Sequence, residues 1–265
     1  MQLGEQRWPD VAALKSKVVV VPIGSFEQHG RHLPLLTDSL IGQEVARRAE
    51  AELGDEAVFL PMLYVGASDH HLAFPGTVSL SLETYTRVLA EIVESLLSAG
   101  FRRVFLLNAH AGNAVPAQAA LNAVQTRRRA EMPEMYLTFA SWFDIAAPAI
   151  ARLADAEGWS QQKILHACEW ETSQIQRLRP DLVRDERPSG RFTIDSEFWW
   201  PDHTGASRVF VARGMEQSSR SGAYGFPEHA SPAKGEALFS LAAREVVAFV
   251  REFARWPIVS EGGPE

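Results

Sequence analysis

Four short apolar runs, rich in β-branched and aromatic residues, mark the first half of the chain. They lie at 18–24, 57–62, 104–107 and 135–140. The first and third runs are continuous rather than alternating, which is typical of strands that are covered on both faces. The pattern therefore predicts four strands, of which the first and third are buried.

Segments with helical periodicity separate and follow these runs. The clearest is 81–99, where apolar residues recur every three to four positions and Gly100 can end the helix. Further patterns predict helices at 39–53, 116–129, part of 160–178, and 233–256. We also expect an N-terminal arm with a short helix at 1–17, a polar irregular excursion at 181–207 and a late strand at 208–212.

Strands that alternate with helices of more than about ten residues indicate βαβ units. We therefore predict an α/β fold in which a mostly parallel central sheet lies between two helical layers, a three-layer α/β/α arrangement. No linker or internal repeat interrupts residues 1–265, so a single domain is expected.

Composition narrows the function classes. The chain is 46% hydrophobic and 22% charged, as in ordinary globular proteins, and its formal net charge of −7 argues against a non-specific nucleic-acid binder. A single cysteine, Cys168, excludes an intrachain disulfide and fits a reducing compartment. No basic-then-apolar leader and no apolar run of about 20 residues is present, so we expect a cytoplasmic protein without membrane contact.

Side chains that bind metals follow the ends of the predicted strands. Glu27 and His29 come just after the first strand, with His32 and Asp38 beyond them, and His110 follows the third strand. The carboxyl ends of parallel strands share one edge of the sheet, where open α/β proteins place their sites. A mixed set of carboxylates and imidazoles suits zinc or manganese, and a shared carboxylate lets two ions lie close together.

Each of these residues also has an ordinary structural interpretation. Asp38 alone is equally consistent with a helix N-cap, Glu27 with a surface carboxylate, and His110 with a hydrogen-bonded turn histidine. Their combination is more informative than any single residue, but spacing alone does not decide between the two interpretations.

Four longer motifs carry a family resemblance. Gly24–Gly30 (GSFEQHG), with the Leu-Pro and Thr-Asp pairs that follow it, resembles the opening signature of the creatininase (creatinine amidohydrolase) family. Phe74–Thr77 (FPGT), Asn108–Asn113 (NAHAGN) and His166–Ser173 (HACEWETS) resemble its later motifs, in the same order. The resemblance spans about residues 8 to 256. It implies one α/β domain, a homohexamer, and two divalent ions (zinc and/or manganese, with iron as an option) that serve hydrolysis of C–N bonds in cyclic or open amides.

The resemblance also implies roles for individual residues. Glu27, Asp38 and His110 are expected to hold one ion, and His29, Asp38 and a further carboxylate the other. Creatininase itself has a glutamate where this chain has Gly112. Relatives with glycine there carry a glutamate in the later motif, a place that Glu169 occupies, so Glu169 is the expected ligand and catalytic carboxylate.

Alternatives remain for the later motif and for the substrate pocket. Glu169 is also interpretable as a helix-start glutamate favoured by the helix dipole. Glu171 is expected to be hydrogen-bonded behind the metals. His166 matches the family histidine that moves protons, and in a helix it would share a face with Glu169. Residues expected to contact substrate are Trp142 (otherwise core), Gly112 and His70, with weaker suggestions for Asp69, His71, Phe198, Trp199 and Trp200.

The expected function is hydrolysis of a C–N bond other than an ordinary peptide bond, in a cyclic amide or formamide, by a water molecule that two metal ions activate. Creatininase has further aromatics that close over creatinine, and this chain has Ala111 and Gln162 at those positions, which favours a different small-molecule amide. The alternatives are creatinine hydrolysis proper, a two-metal phosphoesterase, and a non-catalytic oligomer held together by metal ions.

Overall fold

Parallel pairing dominates the central sheet. The computed structural model describes residues 1–161, 164–188, 196–199 and 208–257. Its strands are β1 (Val18–Ile23), β2 (Ala57–Phe59), β3 (Arg103–Asn108) and β4 (Tyr136–Ser141). They are ordered β2-β1-β3-β4, and every pairing between them is parallel. The four predicted strands are therefore present, although β2 is only three residues long.

Helices cover both faces of this sheet. They are α1 (Thr37–Leu53), α2 (Leu82–Ser98), α3 (Ala114–Arg128), α4 (Trp142–Ala156), α5 (Glu169–Leu178) and α6 (Pro232–Phe253). One hydrophobic core joins the sheet to α1, α4, α5 and α6, and the other joins it to α2 and α3. The predicted three-layer α/β/α arrangement is confirmed.

The two cores explain the continuous apolar run of β1. Successive side chains of a strand point to opposite faces of the sheet. Accordingly, Val18 and Val20 pack into the core beneath α1 and α6, whereas Val19 and Val21 pack into the core beneath α2. All four are fully buried. Neither face of this strand has room for a polar residue.

The structure differs from the sequence-based predictions in three regions. No helix was predicted for 142–156, yet α4 forms there around Pro148, which lacks the N–H of an ordinary helical residue and so interrupts the sequence pattern. The helix predicted within 160–178 begins only at Glu169. Residues 208–212 are not a strand, because they pair with no other strand in the described part of the chain.

Helix length and hydropathy also bear on membrane contact. Among the residues that the structure describes, no helix combines enough length with enough apolar character to cross a bilayer.

Close packing of α6 against α5 depends on Gly235. A Cβ atom at this position would lie 2.6 Å from the Ser173 carbonyl carbon and 2.9 Å from Arg177 Cβ, and it would be closer still to the Ser173 carbonyl oxygen. Backbone atoms cannot move aside as a flexible side chain can. The contact matters to function because α5 carries Glu169–Ser173, the second part of the HACEWETS motif.

We expect Gly235→Ala to lower the free energy of unfolding by about 1–3 kcal/mol, the usual cost of overpacking a close contact. Denaturant titration followed by circular dichroism would measure the change. Gly4→Ala is the matched control, because a Cβ there meets nothing within 4 Å, and it should leave stability within about 1 kcal/mol of wild type. Equal stability of the two variants would contradict the packing argument.

Candidate metal centre

The carboxyl ends of β1 and β3 bring the predicted ligands together. Ile23 at the end of β1 is the register partner of Asn108 at the end of β3. The loop after β1 carries Glu27 and His29, and His110 lies just beyond β3. Asn108 positions that second loop, since its amide nitrogen donates to the carbonyl of His110 at 2.7 Å and its amide oxygen accepts from the His110 N–H at 3.1 Å.

Asp38 lies at the centre of the cluster. It is the second residue of α1, and Ser25 Oγ donates to its Oδ2 at 2.7 Å, which ties the start of the helix to the loop after β1. Asp38 Oδ1 lies 3.1 Å from His29 Nε2, and Oδ2 lies 3.0 Å from His110 Nδ1. Burial alone would raise the pKa of Asp38, but the two imidazoles hold it well below its usual range.

Glu27 is the second central carboxylate, and it is 1% exposed. Its Oε1 lies 3.3 Å from His71 Nε2 and 3.8 Å from His166 Nδ1, while Oε2 lies 3.3 Å from His110 Nε2. Within the described residues, Oε2 has no partner with hydrogen-bond geometry. Burial raises the pKa of Glu27 to about 7, against the opposing effect of His110.

Three histidines present one ring nitrogen to these carboxylates and have the other near a backbone carbonyl. His29 Nδ1 lies 3.2 Å from the Glu27 carbonyl oxygen, His110 Nε2 lies 3.0 Å from that of Ala67, and His166 Nε2 lies 2.8 Å from that of Gln28. A carbonyl oxygen only accepts, so these ring nitrogens carry the proton in the neutral imidazoles. The opposite nitrogens, His29 Nε2, His110 Nδ1 and His166 Nδ1, then face carboxylate oxygens with a lone pair.

The lone pairs of His29 Nε2 and His110 Nδ1 face carboxylate oxygens at 3.1 and 3.0 Å, and such contacts require a proton or a cation between the two atoms. Consistent with this, burial alone would lower the pKa of His110, but the Glu27 and Asp38 carboxylates raise it to about 9. A ring N–H given to a backbone carbonyl is also the usual arrangement of metal-binding histidines. The donor set fits divalent ions. Among the residues that the structure describes, side chains that bring three ligand atoms within 4.8 Å of one another form four overlapping groups: Glu27/His70/His110, Glu27/His71/His166, His29/His166/Glu171 and Glu27/His29/Asp38.

His71 belongs to one of those groups but acts differently. Gln28 Oε1 accepts from the Gly30 N–H at 2.9 Å, which directs the Gln28 amide nitrogen towards His71 Nδ1 at 2.7 Å. His71 Nδ1 must therefore accept, and its Nε2 carries the proton that points at Glu27. Burial lowers the pKa of His71 well below its usual range, so the ring is neutral. It orients Glu27 instead of offering a lone pair.

The two glutamates of the HACEWETS motif take the opposite places to those expected. Glu169 forms an ion pair with Lys234 of α6 and does not lie in the cluster. Glu171 Oε1 lies 3.8 Å from His29 Nε2, while its Oε2 accepts from the Cys168 N–H at 3.2 Å and caps α5. Residues two apart on a helix project in nearly opposite directions, so only one of the pair can face the cluster.

The other predicted residues have varied surroundings. His166 precedes α5, in a turn where Ala167 has a φ of 52°, so helical spacing does not relate it to Glu169. His32 lies away from the cluster, and its Nε2 lies 2.9 Å from Thr172 Oγ1. Trp142 is 1% exposed and packs in the apolar core, edge-on to Phe143, instead of contacting substrate space.

A cavity of about 540 Å³ opens onto the cluster. Gly112 lines it, and a Cβ there would lie 2.8 Å from His70 Cε1 and closer to His110, so no larger residue fits. The His70 ring stacks on that of His110 at 5.7 Å. Of the other residues that the sequence suggested as substrate contacts, those that line the cavity are Asp69, His70, His71 and Trp199. Phe198 is exposed, and Gln162 and Trp200 lie outside the described residues.

Sequence reasoning missed two groups at this site. Gln28 orients His71, and its position between Glu27 and His29 was the available signal. Arg213 lines the cavity from a segment that was predicted to be a strand and its flank, so nothing in the pattern marked it.

Comparisons with known proteins agree with this geometry. The profile of the creatininase family, described as creatinine amidohydrolase, matches residues 4–250. A mycofactocin precursor peptide peptidase of Mycobacterium tuberculosis is 31% identical over 253 residues, covering 91% of this chain and 86% of that protein. A creatinine amidohydrolase of Pseudomonas putida is 30% identical over 195 residues, covering 70% of this chain and 74% of that protein.

Solved structures are similar as well. A structure described as creatininase Mn has a TM-score of 0.77 and 26% identity, covering 95% of this chain and 97% of that one. A mutant creatininase of Zn–Zn type has a TM-score of 0.78 with the same identity and coverage. The fold, the cluster of carboxylates and histidines, and the similarity over almost the whole chain together show that this chain belongs to the creatininase family of hydrolases.

Proposed function

We propose that this protein is a hydrolase that depends on two divalent metal ions and cleaves the C–N bond of an amide. The observation that carries the proposal is the arrangement of His29 and His110. Each ring has one nitrogen at a backbone carbonyl and the other at a buried carboxylate. The lone pairs that face the carboxylates need a proton or a cation between them, and divalent ions bound by the same side chains would meet that need.

We assign the ligands to two sets that share Asp38, as the family resemblance implies. Glu27, Asp38 and His110 would hold one ion, and His29, Asp38 and Glu171 the other. The second set replaces Glu169 with Glu171, because Glu169 is directed to Lys234. Imidazole and carboxylate ligands suit zinc or manganese, and related creatininase structures of Zn–Zn and Mn forms support the same choice.

Two such ions, when bound, supply Lewis acidity and make a water molecule nucleophilic near neutral pH. The protein supplies proton transfer through His166. Burial and His29 lower the pKa of His166 well below its usual range, so its Nδ1 is an unprotonated acceptor that faces the cluster. Nδ1 can take the proton of the attacking water and return it to the leaving nitrogen. The water oxygen joins the carbonyl carbon, the C–N bond breaks, and the products are a carboxylic acid and an amine.

Access to the cluster favours catalysis over a purely structural role for the ions. The cavity is lined by Glu27, Asp38, His110, His166 and Glu171, so substrate can reach these groups. Structural metal sites are closed, with all positions taken by protein ligands.

The size of the cavity favours an amide larger than creatinine. Its volume of about 540 Å³ lies within the range of about 300–1,000 Å³ that is typical of pockets for drug-sized ligands, whereas creatinine is a single small ring. The small residues Ala111 and Gly112 line the cavity and leave this part of it open. Cyclic amides, formamides and short peptides all remain within this class, and the named relatives act on a creatinine ring and on a precursor peptide.

Homohexameric assembly and a cytoplasmic location stay predictions from the sequence.

Removal of the shared ligand should remove both ions. We expect Asp38→Ala to lose both metals by elemental analysis after dialysis, and to lose amide hydrolysis with them, because each ion forfeits a negative ligand. A chelator should abolish wild-type activity, and added zinc or manganese should restore it. Asp69→Asn is the control for metal content, since Asp69 is an exposed carboxylate of the same cavity. Full occupancy in Asp38→Ala would contradict the sharing of Asp38.

Variants of the two glutamates of α5 should show which glutamate binds a metal ion and which one stabilises the fold. We expect Glu171→Gln to weaken one ion by about 100-fold or more in affinity and to keep the other. Glu169→Gln should keep both ions but lower the free energy of unfolding by about 1–3 kcal/mol, because Lys234 then faces no carboxylate in a partly buried position. Metal titration and denaturant titration of both variants test this. The reverse result would return the ligand role to Glu169.

Loss of His166 should affect turnover more than metal content. We expect His166→Ala to reduce kcat by about 10²- to 10⁴-fold, the usual contribution of a proton-transfer group, with both ions retained. Elemental analysis beside steady-state kinetics on the same sample gives both readouts. Loss of an ion in this variant would show that His166 Nδ1 is a ligand instead.

A further inference from the structure

We propose that Arg213 binds a carboxylate of the substrate, so that the preferred substrate is an amide that also carries a free carboxylate. An N-acyl amino acid and a short peptide with a free carboxyl terminus both have this chemistry. The inference rests on the proposed function, because it names the substrate class of the same cavity.

Arg213 is the only lysine or arginine among the described residues that line the cavity. Its side chain is half-buried, and it follows the segment Val209–Ala212, which forms part of the apolar wall. The remainder of that wall is also largely apolar, including Phe143, Ile164 and Leu165. A fixed positive charge at such a wall is stabilised by an anion that enters with the ligand.

Aromatic contacts hold the guanidinium in a defined plane. Its Cζ lies 4.5 Å from the ring centroid of Trp199 and 5.7 Å from that of Tyr224, and Nη1 donates to Tyr224 Oη at 2.8 Å. Within the part of the chain that the structure describes, this is its one hydrogen bond, and no carboxylate lies at ion-pair distance. A guanidinium has five N–H donors in a rigid fork, so donors remain for a carboxylate, which it can bind through two parallel hydrogen bonds.

The charges of the cavity then complement an extended substrate at two points. The cluster of carboxylates and histidines would hold the ions that polarise the amide carbonyl. Arg213 and apolar residues line the same cavity, so they can contact the carboxylate and an aliphatic or aromatic side chain of the same substrate. A neutral substrate would satisfy the cluster and the wall but would leave the guanidinium without an anion.

Paired ligands that differ only in the carboxylate test the inference. We would measure binding of N-acetyl-Leu-Phe and of its C-terminal amide to the metal-loaded protein by calorimetry, and hydrolysis of N-formyl-leucine and N-formyl-leucinamide by kinetics. Wild type should favour the acid over the amide by about 10- to 100-fold, the usual strength of a hydrogen bond to a charged group. Arg213→Met should abolish this preference, mainly through KM and Kd, with binding of the amide unchanged.

Arg213→Lys keeps the positive charge without the planar fork, so it should retain part of the preference for the acid. It also provides a second test if the methionine variant does not fold. Metal content and circular dichroism should match wild type in both. Equal binding of acid and amide by wild type, no binding of either, or an equal loss for both ligands in Arg213→Met would overturn the inference. Arg213-dependent binding of the acid without hydrolysis of any amide would refute the proposed function and leave the binding role intact.

Discussion

Buried negative charge at the carboxyl edge of the sheet is the constraint on which the rest of this structure depends. Glu27 and Asp38 are almost fully buried, and both lie within reach of the His110 imidazole. Two carboxylates in such surroundings are stable only with compensating positive charge. Histidines supply part of that compensation by sharing protons with them, and the proposed divalent ions would supply it more completely.

The surrounding fold keeps these groups from rearranging to satisfy one another. Backbone carbonyls hold one nitrogen of each of the three histidines and so restrain the rotation of the rings. Gln28 holds His71 in the tautomer that points a proton at Glu27. Since these contacts come from the loops after β1, β2 and β3 and from the turn before α5, the sheet and α5 together define the site.

Helix α5 links the site to the stability of the helical layer. Glu171 turns towards the cluster and also caps the helix, whereas Glu169 turns towards Lys234 of α6. Gly235, next to that lysine, lets α6 approach the backbone of α5. The position of the Glu171 carboxylate, which faces the cluster, is therefore maintained by a helix contact made on the opposite side of the same helix.

The sequence by itself determined the strands, the parallel sheet and four members of the cluster, Glu27, His29, Asp38 and His110. These follow from local signals, since apolar runs report burial on two faces and the motifs lie directly at strand ends. It did not determine which of Glu169 and Glu171 faces the cluster, because that depends on where α5 begins and on the cation that α6 offers to one of them. Nor did the sequence show that Trp142 lies in the core and that Arg213 lines the cavity. Tertiary structure alone decided those, because exposure to the cavity depends on packing between segments distant in the chain.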